Sequence, residues 1–414
     1  MGEITLRKIC KWFIIAFIFY VCWAKYAFGE RSYILYITGL LPIGIMGFEL
    51  LVTKEKLEGY FPFGVVVNLI MCVYSIITGI WVARDSTLLV DQIKTYACVS
   101  LLCLAICYVT KEEKDLSWIA KTLIFVSIVC CVSVSVRGYY VINYGYVISK
   151  DNNPNTLGLV LDLGLFGLAY IDRGAKGYRR IIDVLCAAFF LYFIVGCGSR
   201  KCLIGGIIIC LLWLIPVIKE IFSSSGYVKK TIFVLAALAL IGVIVQYYNE
   251  TYIHTESFQR MEMLGDTSKT GGSSALRMSY YRRAIELLSE HPVFGIGFQQ
   301  FRFWNEYHAY SHSTYAEAIA SWGIVGSLLY FIPVLVTGWR LVNIILYHKN
   351  SYAARIIFAL LIMELFLGAG QIWFYEIEHL IALTLIFLYT NMEYQEDSAT
   401  PKASIERRYK YVKA

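Results

Sequence analysis

The sequence predicts an all-α polytopic membrane protein of about twelve transmembrane helices, with one large extracytoplasmic loop late in the chain. Of the 414 residues, 58% are hydrophobic and only 16% are charged, whereas soluble domains are about one-quarter charged. Apolar runs of about 20 residues, bounded by charges, recur along the chain, and this length crosses a hydrocarbon core of about 30 Å.

The apolar runs give the order of the elements. Helices are predicted near 9–28, 33–53, 63–83, 89–109, 117–136, 155–171, 181–197, 202–218, 231–248, 314–338, 354–370 and 376–392. The chain therefore divides into helices one to nine in 1–248, a polar loop in 249–313, helices ten to twelve in 314–392, and a basic tail in 393–414. The first run lacks a small-residue cleavage site, so we expect a membrane helix rather than a signal peptide.

Basic residues mark one side of the membrane. They cluster in alternate short loops, at Lys54 and Lys56, Lys111 and Lys114, Arg173 to Arg180, Lys219 to Lys230, and Arg340 to Lys349. The positive-inside rule then places both termini in the cytoplasm and the loop 249–313 outside. The net charge of +7 is spread over these loops rather than along one stripe, which argues against a nucleic-acid partner.

The sequence predicts no cofactor and no metal site. Its twelve cysteines fall at or before Cys210 without CxxC spacing, which predicts neither a zinc site nor a disulfide framework. No GxxxxGK[ST] or GxSxG motif is present, so nucleotide hydrolysis and serine hydrolysis are not expected.

The polar loop contains a predicted amphipathic helix near 274–290, in the segment GGSSALRMSYYRRAIELLSEHP. Its apolar face consists of Leu276, Tyr280, Ala284 and Leu287. Three guanidinium groups, those of Arg277, Arg282 and Arg283, can bind phosphate oxygens bidentately. The alternative is a solvated face or contact with anionic lipid headgroups.

Two further cations lie at the predicted outer mouth between the seventh and eighth helices. Arg200 and Lys201 follow Ser199 in GCGSRKCLIGG, on the side where the topology rule disfavours cations. They either form an anion site or extend from a helix end so that their charges reach the water at the membrane surface.

A histidine occupies the start of the tenth helix, in AYSHSTYAEAIASWGIVG. His312 lies at the mouth and Glu317 about one and a half turns deeper, where a neutral imidazole could accept a proton from a hydroxyl group. The structural alternative is a helix cap, and His308 competes for the same role. Elsewhere Asp162, Glu364 and His379 are either a proton path or packing contacts, of which we expect the second.

Three segments in this order resemble the family of O-antigen ligases and O-antigen polymerases: GSR, then LRMSYYRRAIELLSEHPVFGIGFQQF, then SHSTYAEAIASWGIVG. The likeness covers roughly residues 150–340, including NNPNTLGLVLDLG. The first helices resemble the family only in hydropathy. Ser313 stands where the family often has asparagine.

The resemblance implies a glycosyltransferase C-like bundle in the bacterial inner membrane. Members transfer a glycan from an undecaprenyl-pyrophosphate carrier to an acceptor hydroxyl on the outer face of that membrane. Arg200 and Arg277 would bind the pyrophosphate and His312 would act as base. Further substrate contacts are expected from Lys201, Arg282, Arg283, Glu317 and His308. Because the carrier's tail must stay among membrane lipids, a lateral opening between helices is predicted.

Several functions are compatible with the sequence. The leading interpretation is a polymerase that joins lipid-linked repeat units. The second is a ligase that moves a finished glycan to lipid A core or another acceptor. From other classes, the chain could be a flippase of lipid-linked glycans or a non-catalytic scaffold. A flippase should carry charges through the depth of the bundle, whereas here the arginines gather at one surface. A separate flippase and a chain-length regulator are candidate partners.

Overall fold

The computed structural model describes residues 5–24, 32–53, 61–136, 154–172, 178–197, 199–224, 226–227, 231, 273–347 and 352–399. All regular elements in these ranges are helical, in agreement with the all-α prediction. The predicted ninth helix beyond residue 231, the loop before residue 273 and the tail from residue 400 lie outside the described residues.

The helices follow the hydropathy closely. They are α1 (Leu6–Phe19, continued by a π-helical turn at Tyr20–Ala24), α2 (Ser32–Thr53), α3 (Phe63–Val82), α4 (Ser86–Val109), α5 (Leu116–Val136), α6 (Pro154–Ile171), α7 (Tyr178–Gly196), α8 (Arg200–Ser224), α9 (Ser273–Glu290), α10 (Thr314–Tyr347), α11 (Tyr352–Leu367) and α12 (Ile377–Ala399). A 3₁₀ turn at Glu113–Asp115 leads into α5.

Three helices, α8, α10 and α12, extend past their predicted ends at 218, 338 and 392. The last turns of α10 and α12 meet where the Arg340 guanidinium lies 4.3 Å from the ring centroid of Tyr394. Hydropathy marks the point where a helix leaves an apolar environment, whereas the backbone hydrogen bonds continue into the polar turns. The three predicted ends are therefore too early.

Four helices in the described ranges are long and apolar enough to cross a membrane. They are Phe63–Val82, Ser86–Val109, Glu113–Val136 and Thr314–Tyr347. Large apolar side chains such as Ile80, Trp81 and Leu335 are exposed along them, as expected of a surface that faces lipid. The chain is thus a multi-pass membrane protein, and the count of twelve spans stays a prediction.

The start of the first helix and the end of the last helix lie at the same end of the bundle. On α1, Arg7 donates to the Tyr108 hydroxyl at 3.1 Å and pairs with Glu49 at 3.2 Å, so the start of α1 lies beside the last turns of α2 and α4. The contact between Arg340 and Tyr394 joins the last turns of α10 and α12. The starts of α4, α8, α10 and α12 therefore lie at the opposite end.

Candidate active site

A cavity of about 340 Å³ opens at the end of the bundle where α4, α8, α10 and α12 begin. It is lined by Gln92, Asn155, Lys201, Arg277, Gln299, Arg302, Tyr310, His312, Gly370, Gln371, Ile372, Tyr375 and Glu376. The lining contains three cationic side chains, those of Lys201, Arg277 and Arg302, and one carboxylate, that of Glu376. Such a surplus of positive charge favours an anionic ligand.

Arg277 reaches the cavity because of how α9 is seated. Tyr280, Ala284 and Leu287 of α9 are buried in a small separate core, as their spacing predicts. Arg277 follows Leu276 at the edge of this face. Within the described part of the chain, Arg277 has no hydrogen bond or ion pair, and the Nε of Arg302 is buried without a hydrogen-bond partner. Desolvated guanidinium groups without an anion are costly, so a bound anion would stabilise this arrangement.

The GSR segment forms the start of α8. The Lys201 ammonium group lines the cavity and donates to the carbonyl of Gly370. Arg200 is half-buried outside the lining, and its Nη1 has no hydrogen-bond partner among the described residues. The Ser199 hydroxyl donates to Asn155 Oδ1 at 2.7 Å. This bond joins the GSR segment to NNPN at the start of α6.

His312 stands among aromatic rings at the cavity wall. Its ring centroid lies 4.1 Å from that of Tyr310 and 6.1 Å from that of Tyr280. Burial, followed by the positive charges of Arg277 and Lys201, lowers the pKa of His312 from 6.5 to about 4. The imidazole is therefore neutral at pH 7 and has a lone pair with which to accept a proton.

The backbone that carries His312 is fixed on both sides. The Thr314 amide donates to the carbonyl of Gly368 at 2.8 Å, and its hydroxyl donates to that of Gln371 at 2.8 Å. The hydroxyl of Tyr281 lies 2.9 Å from Ser313 Oγ. Ser313, at the position where the family often has asparagine, therefore helps to attach the loop before α10 to surface helix α9.

Glu317 supports the cavity from beneath. It is fully buried and does not line the cavity. Its Oε1 accepts from the Tyr375 hydroxyl at 2.5 Å, and its Oε2 accepts from the amide of Ser311 at 3.0 Å. Glu317 thus holds Tyr375 and the segment before His312 in place, and it has no direct path to a ligand in this cavity.

A glycine turn at residues 292–297, with the sequence PVFGIG, packs on a break in α10. Gly323 has φ 62° and interrupts the helix, which frees carbonyl groups on the preceding turn. The amide of Ile296 donates to Ala320 at 2.9 Å and that of Gly297 donates to Ser321 at 3.0 Å. A Cβ on Gly323 would lie 2.6 Å from the Val293 carbonyl. This close backbone contact directs the following residues, including Gln299 and Arg302, towards the cavity.

Three predicted site residues lie elsewhere. Arg282 and Arg283 line a second cavity, where Arg283 pairs with Glu286 at 3.1 Å and with Glu290 at 3.0 Å. His308 is exposed and lines none of the cavities described here. The expected grouping of Arg282 and Arg283 with Arg277 is therefore not seen, because they point to another side of α9.

Two acidic groups and a histidine lie close together between the cavity and the bundle. Glu376 lines the cavity, and its Oε2 lies 3.5 Å from His379 Nε2, which has no hydrogen-bond partner among the described residues. The other ring nitrogen of His379 lies 2.6 Å from Glu364 Oε2. Glu364 and His379 thus form a buried pair, in keeping with the packing contacts expected from the sequence.

Several residues that line the cavity were not predicted from the sequence, above all Arg302. This arginine follows FGIGFQQF directly, and its only signal is a cation next to a glycine turn in an aromatic segment. Gln92, Asn155 and Gln371 also line the cavity. They come from three separate helix ends, so no local spacing connects them.

Comparison with known proteins identifies this part of the chain. Residues 185–331 match a family model described as O-antigen ligase, and none of the curated proteins matches the chain. The matched segment includes Lys201, Arg277, Arg302 and His312. The resemblance seen in the motifs is thus confirmed for this segment, which is similar to the O-antigen ligase domain.

Proposed function

We propose that this protein transfers the glycan of an undecaprenyl-pyrophosphate-linked oligosaccharide to a hydroxyl group of an acceptor sugar, and so polymerises a surface polysaccharide. One observation carries the proposal: Lys201, Arg277 and Arg302 line the same cavity as a histidine that is neutral at pH 7. The cations can stabilise the negative charge of the pyrophosphate leaving group, and the neutral imidazole can accept the proton of the acceptor hydroxyl.

The cations would act on the pyrophosphate. As the bond between the sugar C1 and the phosphate oxygen breaks, negative charge grows on the leaving group. Preorganised guanidinium groups stabilise that charge without reorganisation. Arg277 and Arg302 have no carboxylate partner among the described residues, which leaves their donors available. Arg200 would contribute its charge from the edge of the cavity.

His312 would act on the acceptor. The acceptor hydroxyl oxygen attacks C1, and its proton passes to the imidazole, which later releases it to water. General-base assistance contributes about 10² to 10⁴ in rate. Direct attack inverts the configuration at C1, because the sugar never becomes bonded to the protein.

The position of the cavity at one end of the bundle supports the same reaction. A polyprenyl tail can remain among the lipids beside the helices while the sugars extend into water. We place this end on the extracytoplasmic face of the inner membrane, with both termini in the cytoplasm. A flippase would supply the donor, and a chain-length regulator would be a further partner.

The test uses purified protein in nanodiscs and the lipid-linked donor that accumulates in cells lacking the gene. The wild type is expected to produce a ladder of longer lipid-linked oligomers. His312→Ala should slow the reaction by about 10²- to 10⁴-fold, and Arg277→Ala by at least about 10²-fold. Arg340→Ala, at the opposite end of the bundle, is the matched control and should react normally.

Other outcomes would replace the proposal. A normal ladder from correctly inserted His312→Ala would remove the proposed base. A single transfer of finished glycan to lipid A core would identify a ligase. Movement of the donor across a vesicle membrane without any new bond would identify a flippase.

A further inference from the structure

A second cavity, of about 640 Å³, lies on the other side of surface helix α9. It is lined by Arg84, Ser279, Tyr280, Arg282, Arg283, Glu286, Phe303, Trp304, Asn305, Glu306 and Tyr307. The cavity is larger than the candidate active site, and its lining combines aromatic rings with charged and amide groups. The mechanism above uses none of these residues.

Hydrogen bonds within the protein fix the walls of this cavity. Asn305 Nδ2 donates to the carbonyl groups of Phe301 and Ala309, both at 2.7 Å, and its Oδ1 accepts from the Tyr307 amide at 3.0 Å. The Arg84 guanidinium lies 3.5 Å from the centroid of the Trp304 ring. A preorganised wall lowers the entropy cost of binding.

The charge of the cavity does not suit pyrophosphate. Arg283 is engaged by Glu286 and Glu290, and Arg84 donates to the carbonyl of Phe303 at 2.6 Å. Arg282 alone of the three arginines has no hydrogen bond or ion pair within the described ranges. The carboxylates of Glu286 and Glu306 also line the wall and would repel phosphate. Donors and acceptors therefore occur together, as hydroxyl groups require.

Aromatic surface is available beside these polar groups. Tyr307 is 55% exposed and Phe303 is partly exposed. The indole N–H of Trp304 has no acceptor within the described residues. A sugar ring presents apolar C–H faces and a rim of hydroxyl groups, so it can contact the aromatic rings and bind Arg282 and the carboxylates at once.

One aromatic ring separates the two cavities. The Tyr280 ring centroid lies 6.1 Å from that of His312 and 5.8 Å from that of Tyr307. The rings of His312 and Tyr307 therefore lie on either side of one side chain, so one oligosaccharide of several sugars is long enough to contact both cavities.

We propose that the second cavity is an oligosaccharide-binding subsite, which holds sugars of the glycan at a distance from the reacting bond. The identity of the saccharide rests on the proposed function. By retaining the glycan between transfers, the subsite would favour longer products.

The experiment measures binding without turnover. The probe is the oligosaccharide released by mild acid from the lipid-linked donor, titrated against full-length protein in nanodiscs and followed by saturation-transfer NMR. Tyr307→Ala and Arg282→Ala should each weaken binding about tenfold. Tyr307→Phe keeps the ring and should retain most of the affinity.

Two controls separate this subsite from the candidate active site. Met278 lies on the same helix, is 63% exposed and lines neither cavity, so Met278→Ala should bind as wild type does. Arg277→Ala should also retain saccharide binding. The subsite is refuted if the wild type does not bind the probe, or if Arg277→Ala abolishes binding and Tyr307→Ala does not. It is also refuted if inorganic pyrophosphate displaces the saccharide that is bound to the Arg277→Ala variant. If the proposed function is wrong, the protein will not turn over the intact donor, whether or not it binds the released oligosaccharide.

Discussion

The imidazole of His312 is half-buried beside two positive charges, and both conditions disfavour its protonation. Burial acts most strongly, followed by Arg277 and Lys201. The residue also has φ 56°, in the left-handed region that side chains other than glycine rarely adopt. Such a conformation is held by the bonds on either side of it, and it occurs often at functional sites.

The low pKa of His312 predicts an unusual pH profile. The base works only when it is neutral, so activity should be lost as the pH falls through its pKa. Because that pKa is about 4 rather than the ordinary 6.5, the rate should stay nearly constant from pH 7 to about pH 5 and decline below. Initial rates of oligomer formation across this range test the prediction, and an acid limb centred near pH 6.5 would contradict it.

The charge of Arg277 gives a second test at the same residue. Arg277→Gln removes a like charge, so the pKa of His312 should rise, whereas Arg277→Lys keeps the charge and should leave the pKa close to that of wild type. Titration of isotope-labelled histidine by NMR measures the midpoint without requiring activity. Equal midpoints in the glutamine and lysine variants would show that Arg277 does not act on the imidazole.

At the scale of elements, the break in α10 and the glycine turn before it form one unit. The turn satisfies the carbonyl groups that the break exposes, and the contact leaves no room for a Cβ at Gly295 or Gly323. The loop after α11 then holds the start of α10 through Thr314. Three separate segments therefore fix the wall that contains His312 and Arg302.

Gly323→Ala should disrupt this unit. The new Cβ would lie 2.6 Å from the Val293 backbone at a φ of 62°, so we expect a loss of about 1–3 kcal/mol in stability together with a large loss of activity. Thermal unfolding in detergent measures the first and oligomer formation the second. Gly44→Ala is the control, since its Cβ would meet no atom within 4 Å and alanine is the better helix former.

At the scale of the whole molecule, the candidate active site lies at the opposite end of the bundle from the start of α1 and the last turns of α12. Alternating helix directions produce this arrangement, because α1 starts beside the last turns of α2 and α4. A membrane around the apolar surface would then separate the candidate active site from the start of α1 and the last turns of α12. The reaction and the cytoplasmic supply of substrate would face different compartments.

Cysteine labelling tests this orientation. Glu306→Cys, beside the cavities, should react with a membrane-impermeant maleimide in intact cells. Tyr227→Cys is the matched control: Tyr227 is 90% exposed in a predicted cytoplasmic loop and should react only after the cells are permeabilised. The wild type, whose cysteines are mostly buried, gives the background. The reverse pattern would invert the proposed topology.

Much of the fold is visible in the sequence because lipid imposes a simple rule on it. A helix that crosses the membrane must be apolar over a fixed length, so the runs ending near Val82, Val109 and Val136 match the observed helices. The surface helix is equally apparent, since one face must be apolar to pack. His312 and Arg277 could be predicted as site residues because neither the apolar length of a membrane helix nor the apolar face of a surface helix accounts for an imidazole or a guanidinium group at their positions.

Only the tertiary structure decided which polar groups meet. Arg277 and Arg283 lie on one helix, yet the first enters the candidate active site and the second is neutralised in another cavity. Arg302 joins Lys201 from about one hundred residues away because a glycine turn packs on a broken helix. The sequence by itself determined the membrane class, most helices and the resemblance of residues 185–331 to the O-antigen ligase domain. The composition of the cavity depended on contacts between distant segments, because helix periodicity specifies a face but not the partner opposite it.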